Sequence, residues 1–119
     1  MNKKILITAL TFGLLWGDYT LSRLDSPEGS LGAVSGVTLR VQGDKIAGNS
    51  GCNGFFGRIV NGNQITDLGS TMMACPPEDM AIESRVLSIL KNATITMQGR
   101  QITIQNARGV LTFSAQGGF

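Results

Sequence analysis

The chain has 119 residues, two cysteines, no histidine and a formal net charge of +2, which is enough for one domain. The excess charge is Lys3 and Lys4; the other eight basic residues balance eight acidic ones without clustering, which excludes the electrostatic footprint of a nucleic-acid binder. With no histidine, phosphate-cradling loop, dinucleotide fingerprint or nucleophile elbow, the chain is expected to be no enzyme and to need no cofactor or metal.

The chain opens with Met1-Asn2-Lys3-Lys4 and a mostly apolar run over residues 5–16. This is the pattern of a bacterial secretory signal, shorter than the roughly 20 residues of a comfortable membrane span. A buried core element is the competing reading. The paired lysines at the extreme end and the polarity change at Asp18 argue against it. No cysteine near Gly17 offers a lipid attachment point, and Leu15-Trp16-Gly17 is a poor cleavage site. The expected division is a signal peptide or N-terminal membrane anchor over residues 1–17 and a folded domain over 18–119. That domain is either free in the periplasm or tethered to the inner membrane by the uncleaved segment.

Residues 19–24, 37–41 and 45–48 alternate apolar and polar side chains, the period of half-buried strands. A loop rich in Pro, Gly and Ser occupies residues 25–36, and Gln42-Gly43-Asp44 turns the chain. After a glycine-rich bend over 51–57, residues 58–60 and 64–68 flank Asn61-Gly62-Asn63, where Asn-Gly is a strong hairpin signal. A helix follows. Pro76 and Pro77 suit its first turn, Glu78 and Asp79 complement its dipole, and Ile82, Val86 and Ile89, with Leu87 and Leu90, form its apolar stripe. Lys91 and Asn92 close it. Residues 94–97, 101–104 and 110–113 are three more strands, and the tail 116–119 frays. The expected fold class is α+β: a curled antiparallel sheet, a cracked or partly closed β-barrel, of two meanders with one helix between them.

Two cysteines in an exported chain read as one disulfide. A Cys52–Cys75 bridge clips the bend to the helix N-terminus and stabilises the fold by about 3 kcal/mol. A reactive pair is the alternative, because a helix N-terminus lowers a thiol pKa; free buried thiols are the third reading. Met72, Met73 and Cys75, with Met80 nearby, are soft donors of the kind Cu(I) takes, but core packing is the ordinary use of such side chains. Phe55 belongs in the core and Phe56 is half covered. A groove between helix and sheet, lined by Met80, Val86, Leu87 and Met97, is the place for an acyl chain or a partner's peptide. With Phe56, these four make up the candidate binding surface.

Three segments, Gly48-x-Ser50-Gly51-Cys52-Asn53-x-Phe55-x-Gly57, Thr71-Met72-Met73-Ala74-Cys75-Pro76 and Met80-x-x-Glu83-x-x-x-Leu87-x-x-Leu90, together resemble the META domain family. Its bacterial members include the heat-shock protein HslJ. The resemblance covers about residues 19–114. Tyr19 stands where the family usually has tryptophan, Met72 where arginine is common, and the acylatable cysteine of its lipoprotein members is absent. The resemblance implies a small domain of curled sheet and one helix, similar to the cracked barrel of secretin pilot proteins. It also implies a non-catalytic monomer acting through protein contacts in stress tolerance or envelope integrity. The alternative is a pilotin-like module holding an apolar ligand or a secretin segment between helix and sheet. Expected partners are thus an envelope protein or an apolar ligand.

Overall fold

The computed structural model describes residues 16–116. Along them run β1 (Trp16–Ser26), β2 (Gly29–Leu31), β3 (Val37–Gln42), β4 (Lys45–Ser50), β5 (Gly54–Val60), β6 (Gln64–Ser70), α1 (Pro77–Leu90), β7 (Thr94–Gln98), β8 (Gln101–Asn106) and β9 (Gly109–Ala115). Of the expected targeting segment over 1–17, residues 1–15 lie outside the described ones, as do tail residues 117–119. Trp16 and Gly17 belong to β1, in register with Gln42 and Val41 of β3. At the other end, the Gln116 amide donates to the Asp18 carbonyl at 3.0 Å.

Alternation decides which side chains face inward. In β3, Val37, Leu39 and Val41 are buried while Thr38, Arg40 and Gln42 point outward; Ile102 and Ile104 of β8 and Leu111 and Phe113 of β9 do the same. Each strand pairs antiparallel with its neighbour, and β1 pairs with both β3 and β9. The sheet therefore closes into a barrel of β1 and β3–β9, with β2 as a short flap on β1. Closure removes the exposed edges that an open sheet must protect. The thin seam is β6–β7, where Gln64 opposite Thr94 is the one ladder pair. It is flanked by bonds from Ile65 N to Ala93 O and from Ile95 N to Asn63 O, both 2.8 Å.

Two bulges correct the simple alternation. Between Leu21 and Arg23 the β1–β9 register shifts by one residue, so Tyr19, Leu21 and Leu24 all reach the core although they break a two-residue period. The β5–β6 register shifts beside Asp67, which takes a left-handed φ of 56°. Two expectations also change. The loop over residues 25–36 contains β2, and β5 begins at Gly54, inside the expected bend. The flap is held by side chains: Ser30 Oγ donates to Asp25 at 2.6 Å, and Arg85 of α1 donates to Ser26 Oγ at 2.7 Å and to the Gly29 carbonyl.

Helix α1 opens with Pro77 and carries Glu78 and Asp79 in its first turn. The carbonyls of Ser88 in its last turn and of Lys91 just beyond it accept from the Asn106 amide, both at 2.9 Å. The helix packs against β4, β8 and β9, and Val86, Ile89 and Leu90 join the barrel's single core. Among the described residues no helix is long and apolar enough to cross a membrane.

Gly48 sits opposite Leu39 and Phe55, where a Cβ would lie 2.0 Å from the Thr38 carbonyl oxygen and 2.9 Å from the Phe55 ring. Backbone cannot yield there as a flexible side chain can. Gly48→Ala is expected to cost about 2–3 kcal/mol, the upper range for overpacking, read as a lower urea midpoint at unchanged m-value.

Candidate functional site

Residues 51–53 form the bend between β4 and β5, and from Ser50 at the end of one strand to Gly54 at the start of the next, each of the five amides finds an acceptor. Ser50 N donates to the Asn53 carbonyl at 2.9 Å, and Gly51 N to Asn49 Oδ1 at 2.8 Å. Cys52 N and Asn53 N both donate to Glu83 Oε1, at 3.1 and 2.6 Å. Gly54 N donates to Thr71 Oγ1 at 3.1 Å. Glu83 comes from the middle of α1 and is 5% exposed. Its Oε1 also receives the Ser50 hydroxyl at 2.7 Å, and its Oε2 the Asn53 side-chain amide at 2.6 Å.

Asn53 extends this network to the next loop. Its Nδ2 donates to Glu83 and to the Met73 carbonyl, 3.2 Å away, and its Oδ1 accepts from Thr71 Oγ1 at 2.9 Å and Met73 N at 2.6 Å. All four hydrogen-bonding positions of the amide are thereby used. Gly51 allows the close approach. Its φ is +128°, and a Cβ would sit 3.3 Å from the Asp79 carbonyl and 3.4 Å from Glu83 N. A disulfide joins Cys52 to Cys75, with Cα atoms 6.2 Å apart, within the usual range. It clips the bend to the segment leading into α1.

Burial raises the Glu83 pKa. The bonds from Asn53 N, the Asn53 side chain, Ser50 and Cys52 N outweigh that and hold the carboxyl below its ordinary 4.5. A carboxylate bonded this way is an ionised anchor at neutral pH.

Of the family-motif residues, Ser50, Gly51, Asn53, Thr71, Met73 and Glu83 meet in this one network, with Pro76 preceding α1. Phe55 is in the core, beside Gly48, and Gly57 is buried in β5. The role of Glu83 was open to sequence reasoning. It lies three residues before Val86 and seven before Leu90, so an acid sits on the apolar face of the helix.

The expected binding residues do not form one surface. Val86 is fully buried and Met97 packs against the core, because the centre of the helix stripe is filled by core contacts rather than left as a groove. Met80 and Leu87 do line a groove of about 350 Å³, and the opposite wall is the loop carrying Met72 and Met73. The expected core packing of those methionines is also corrected: Met72 is 93% exposed, Met73 59% and Met80 38%. They lie on an extended loop and the outer side of a helical turn, where no apolar layer covers them.

Phe56 lies elsewhere, on the outer face of the barrel, 55% exposed. Its neighbours across the strands are Ala47 and Gly69, small residues that leave its ring proud of a depression of about 420 Å³ lined also by Arg40, Lys45, Arg58 and Asp67. A Cβ on Gly69 would lie 2.7 Å from that ring, so the ring rests on the glycine. Arg40 pairs with Asp18 at 2.8 Å, and Arg58 lies 3.8 and 3.9 Å from Asp44 and Asp67. These exposed pairs orient the guanidinium groups without adding much stability.

A family model described as META domain matches residues 13–118. Among solved structures, the NMR structure of a protein from Burkholderia xenovorans is similar with a TM-score of 0.66 and 24% identity, covering 92% of this chain and 88% of that one. A second NMR structure has a TM-score of 0.63 and 22% identity, covering 85% and 90%. Both likenesses concern the fold. No curated protein matches the chain.

Glu83→Ala leaves four donors facing a void and is expected to cost about 3–5 kcal/mol, since each buried donor left unpaired costs about 1–3 kcal/mol. Glu83→Gln sets one amide against another and costs about 1–3 kcal/mol. Because the Glu83 pKa is lowered by folding, its contribution is complete above the unfolded value and is lost as pH falls through the folded one. Denaturation midpoints measured from pH 7 to pH 3 should therefore show the gap between wild type and Glu83→Gln closing on the acid side. A separate comparison concerns the disulfide. Cys52→Ser/Cys75→Ser should lower stability by about 3 kcal/mol, with the chemical shifts of the Asn53 side-chain amide little changed.

Proposed function

The chain belongs to the META domain family, and from that premise we propose that it is a non-catalytic, exported envelope protein working through protein contacts made around Phe56. The HslJ-type members provide the stress-tolerance or envelope-integrity setting for this reading. The observation that carries it is Phe56 itself: a large aromatic ring, more than half exposed, seated on Gly69 and bordered by Arg40, Lys45 and Arg58. Aromatic and arginine side chains dominate the energetics of protein interfaces. A ring held on a strand also loses little entropy when it docks, because its backbone is already fixed. The pattern at the N-terminus supports export, and the balanced charge of the domain supports a protein partner over nucleic acid.

A second reading, an apolar ligand held between helix and sheet, draws support only from Met80 and Leu87 in the methionine-walled groove. Lipid co-purifying with the protein favours it.

The test compares envelope pull-downs with wild type, Phe56→Ser and Gly69→Ala. Partners captured by the wild type are expected to be lost with Phe56→Ser and reduced with Gly69→Ala, which displaces the ring by an added methyl. Both variants should keep thermal midpoints close to wild type, since Phe56 is outside the core. Equal capture by all three proteins removes the Phe56 face from the function.

A further inference from the structure

Four methionines follow the N-terminal Met1, and three of them, Met72, Met73 and Met80, line one groove between the Thr71–Pro76 loop and the first turns of α1. All three are exposed. From this we infer that the groove is a binding site for a soft monovalent cation, Cu(I), held by the thioethers of Met72, Met73 and Met80. The inference is independent of the contact face at Phe56, which lies on another surface.

The chemistry of the donor set decides the class of ion. Thioether sulfur is a soft, neutral ligand that favours Cu(I) and gives Zn(II), Mg(II) or Ca(II) little. Competing ligands are missing: the chain has no histidine, among the described residues both cysteines are in the disulfide, and among those residues no three His, Cys, Asp or Glu side chains converge as a metal site. Glu83, although it borders the groove, is already bonded to the bend through both oxygens.

The backbone that presents the sulfurs is fixed, and the side chains are exposed. Met73 is held at both its amide and its carbonyl by Asn53, Thr71 by Asn53 and Gly54, and Cys75 by the disulfide. Met80 is anchored by the helix. From these points the unbranched methionine side chains, with three rotatable bonds each, can turn their sulfurs towards one ion. Neutral ligands leave the ion its positive charge. The turn that carries Met80 also carries Glu78 and Asp79, which offset the unfavourable dipole of a helix N-terminus. The loop's cysteine is oxidised, so it cannot act as a thiolate ligand in place of the methionines.

Ag(I) serves as the redox-inert probe, titrated into the oxidised full chain labelled at the methionine methyls and followed by NMR. One ion per chain should shift the methyl signals of Met72, Met73 and Met80 while that of Met97 stays in place, and excess Zn(II) should not reverse the change. Competition with a chromophoric Cu(I) chelator should show each single Met→Leu substitution at the three positions weakening binding by about tenfold or more, and Met97→Leu leaving it unchanged. Leucine is close in volume and the sites are exposed, so the fold is retained, and the wild-type methyl shifts need no variant at all. The inference is overturned if the three methyls do not move, if Met97 moves equally, or if the triple leucine variant binds as tightly as wild type.

Discussion

Glu83 brings a negative charge into a nearly closed interior, and such a charge is tolerated only where hydrogen bonds replace its lost water. Here three donors meet one oxygen and a fourth meets the other. The reciprocal need is equally strong. The bend between β4 and β5 carries amides that no strand partner can reach, and without the carboxylate the buried Asn53 N and the partly buried Cys52 N would be unpaired. Each side thus removes the other's penalty. The position of α1 over the barrel follows, because the helix must stand where Glu83 reaches Cys52 and Asn53, with Gly51 stripped of a side chain to let it come close. Asn53 then fixes the loop before the helix, and the disulfide reinforces the same junction covalently.

Much of the fold could be read from residues alone, and where it could not, the reasons differ. Alternation at Val37–Val41 or Ile102–Ile104 reports one strand's own burial, so those elements are visible locally. The bulge after Leu21 depends on how β1 meets β9, a partner almost the whole chain away, and nothing near Ser22 announces it. The flap β2 is too short for a period, and it is stabilised by Arg85 from a distant helix. At the site, the motif residues were visible, but the way they interlock was not. Glu83 could have been found as the acid on an apolar stripe. Met72 and Met73 were misplaced because their apolar character suggests burial, and an irregular loop has no period to separate inside from outside.

The two exposed apolar features have different mechanical backing. Phe56 is a rigid plane on a strand whose neighbours on both sides are hydrogen-bonded, so its position is set by the barrel. The methionines are flexible arms on a pinned support. The first suits a partner that supplies a matching shape; the second suits a small, polarisable guest around which side chains can rearrange. Both depend on glycine, but in different ways: Gly69 provides a seat for a ring, while Gly51 lets two backbones meet.

The pairing of β1 with β9 has a consequence for how the molecule comes together. Tyr19 lies opposite Ala115, and the Gln116 amide reaches the Asp18 carbonyl, so the first strand has an unsatisfied edge until the last residues exist. Contacts of such long sequence separation are slow to form, and they reward the chain only after most of the loop entropy has been lost. No partial chain can close the ring. The same adjacency brings the ends of the described domain side by side, so a short linker could join them and the chain be reopened elsewhere. The tip at Asn61-Gly62, exposed, is the natural place to cut, because it lies between Cys52 and Cys75 in the sequence and the disulfide would then tie the two new ends together.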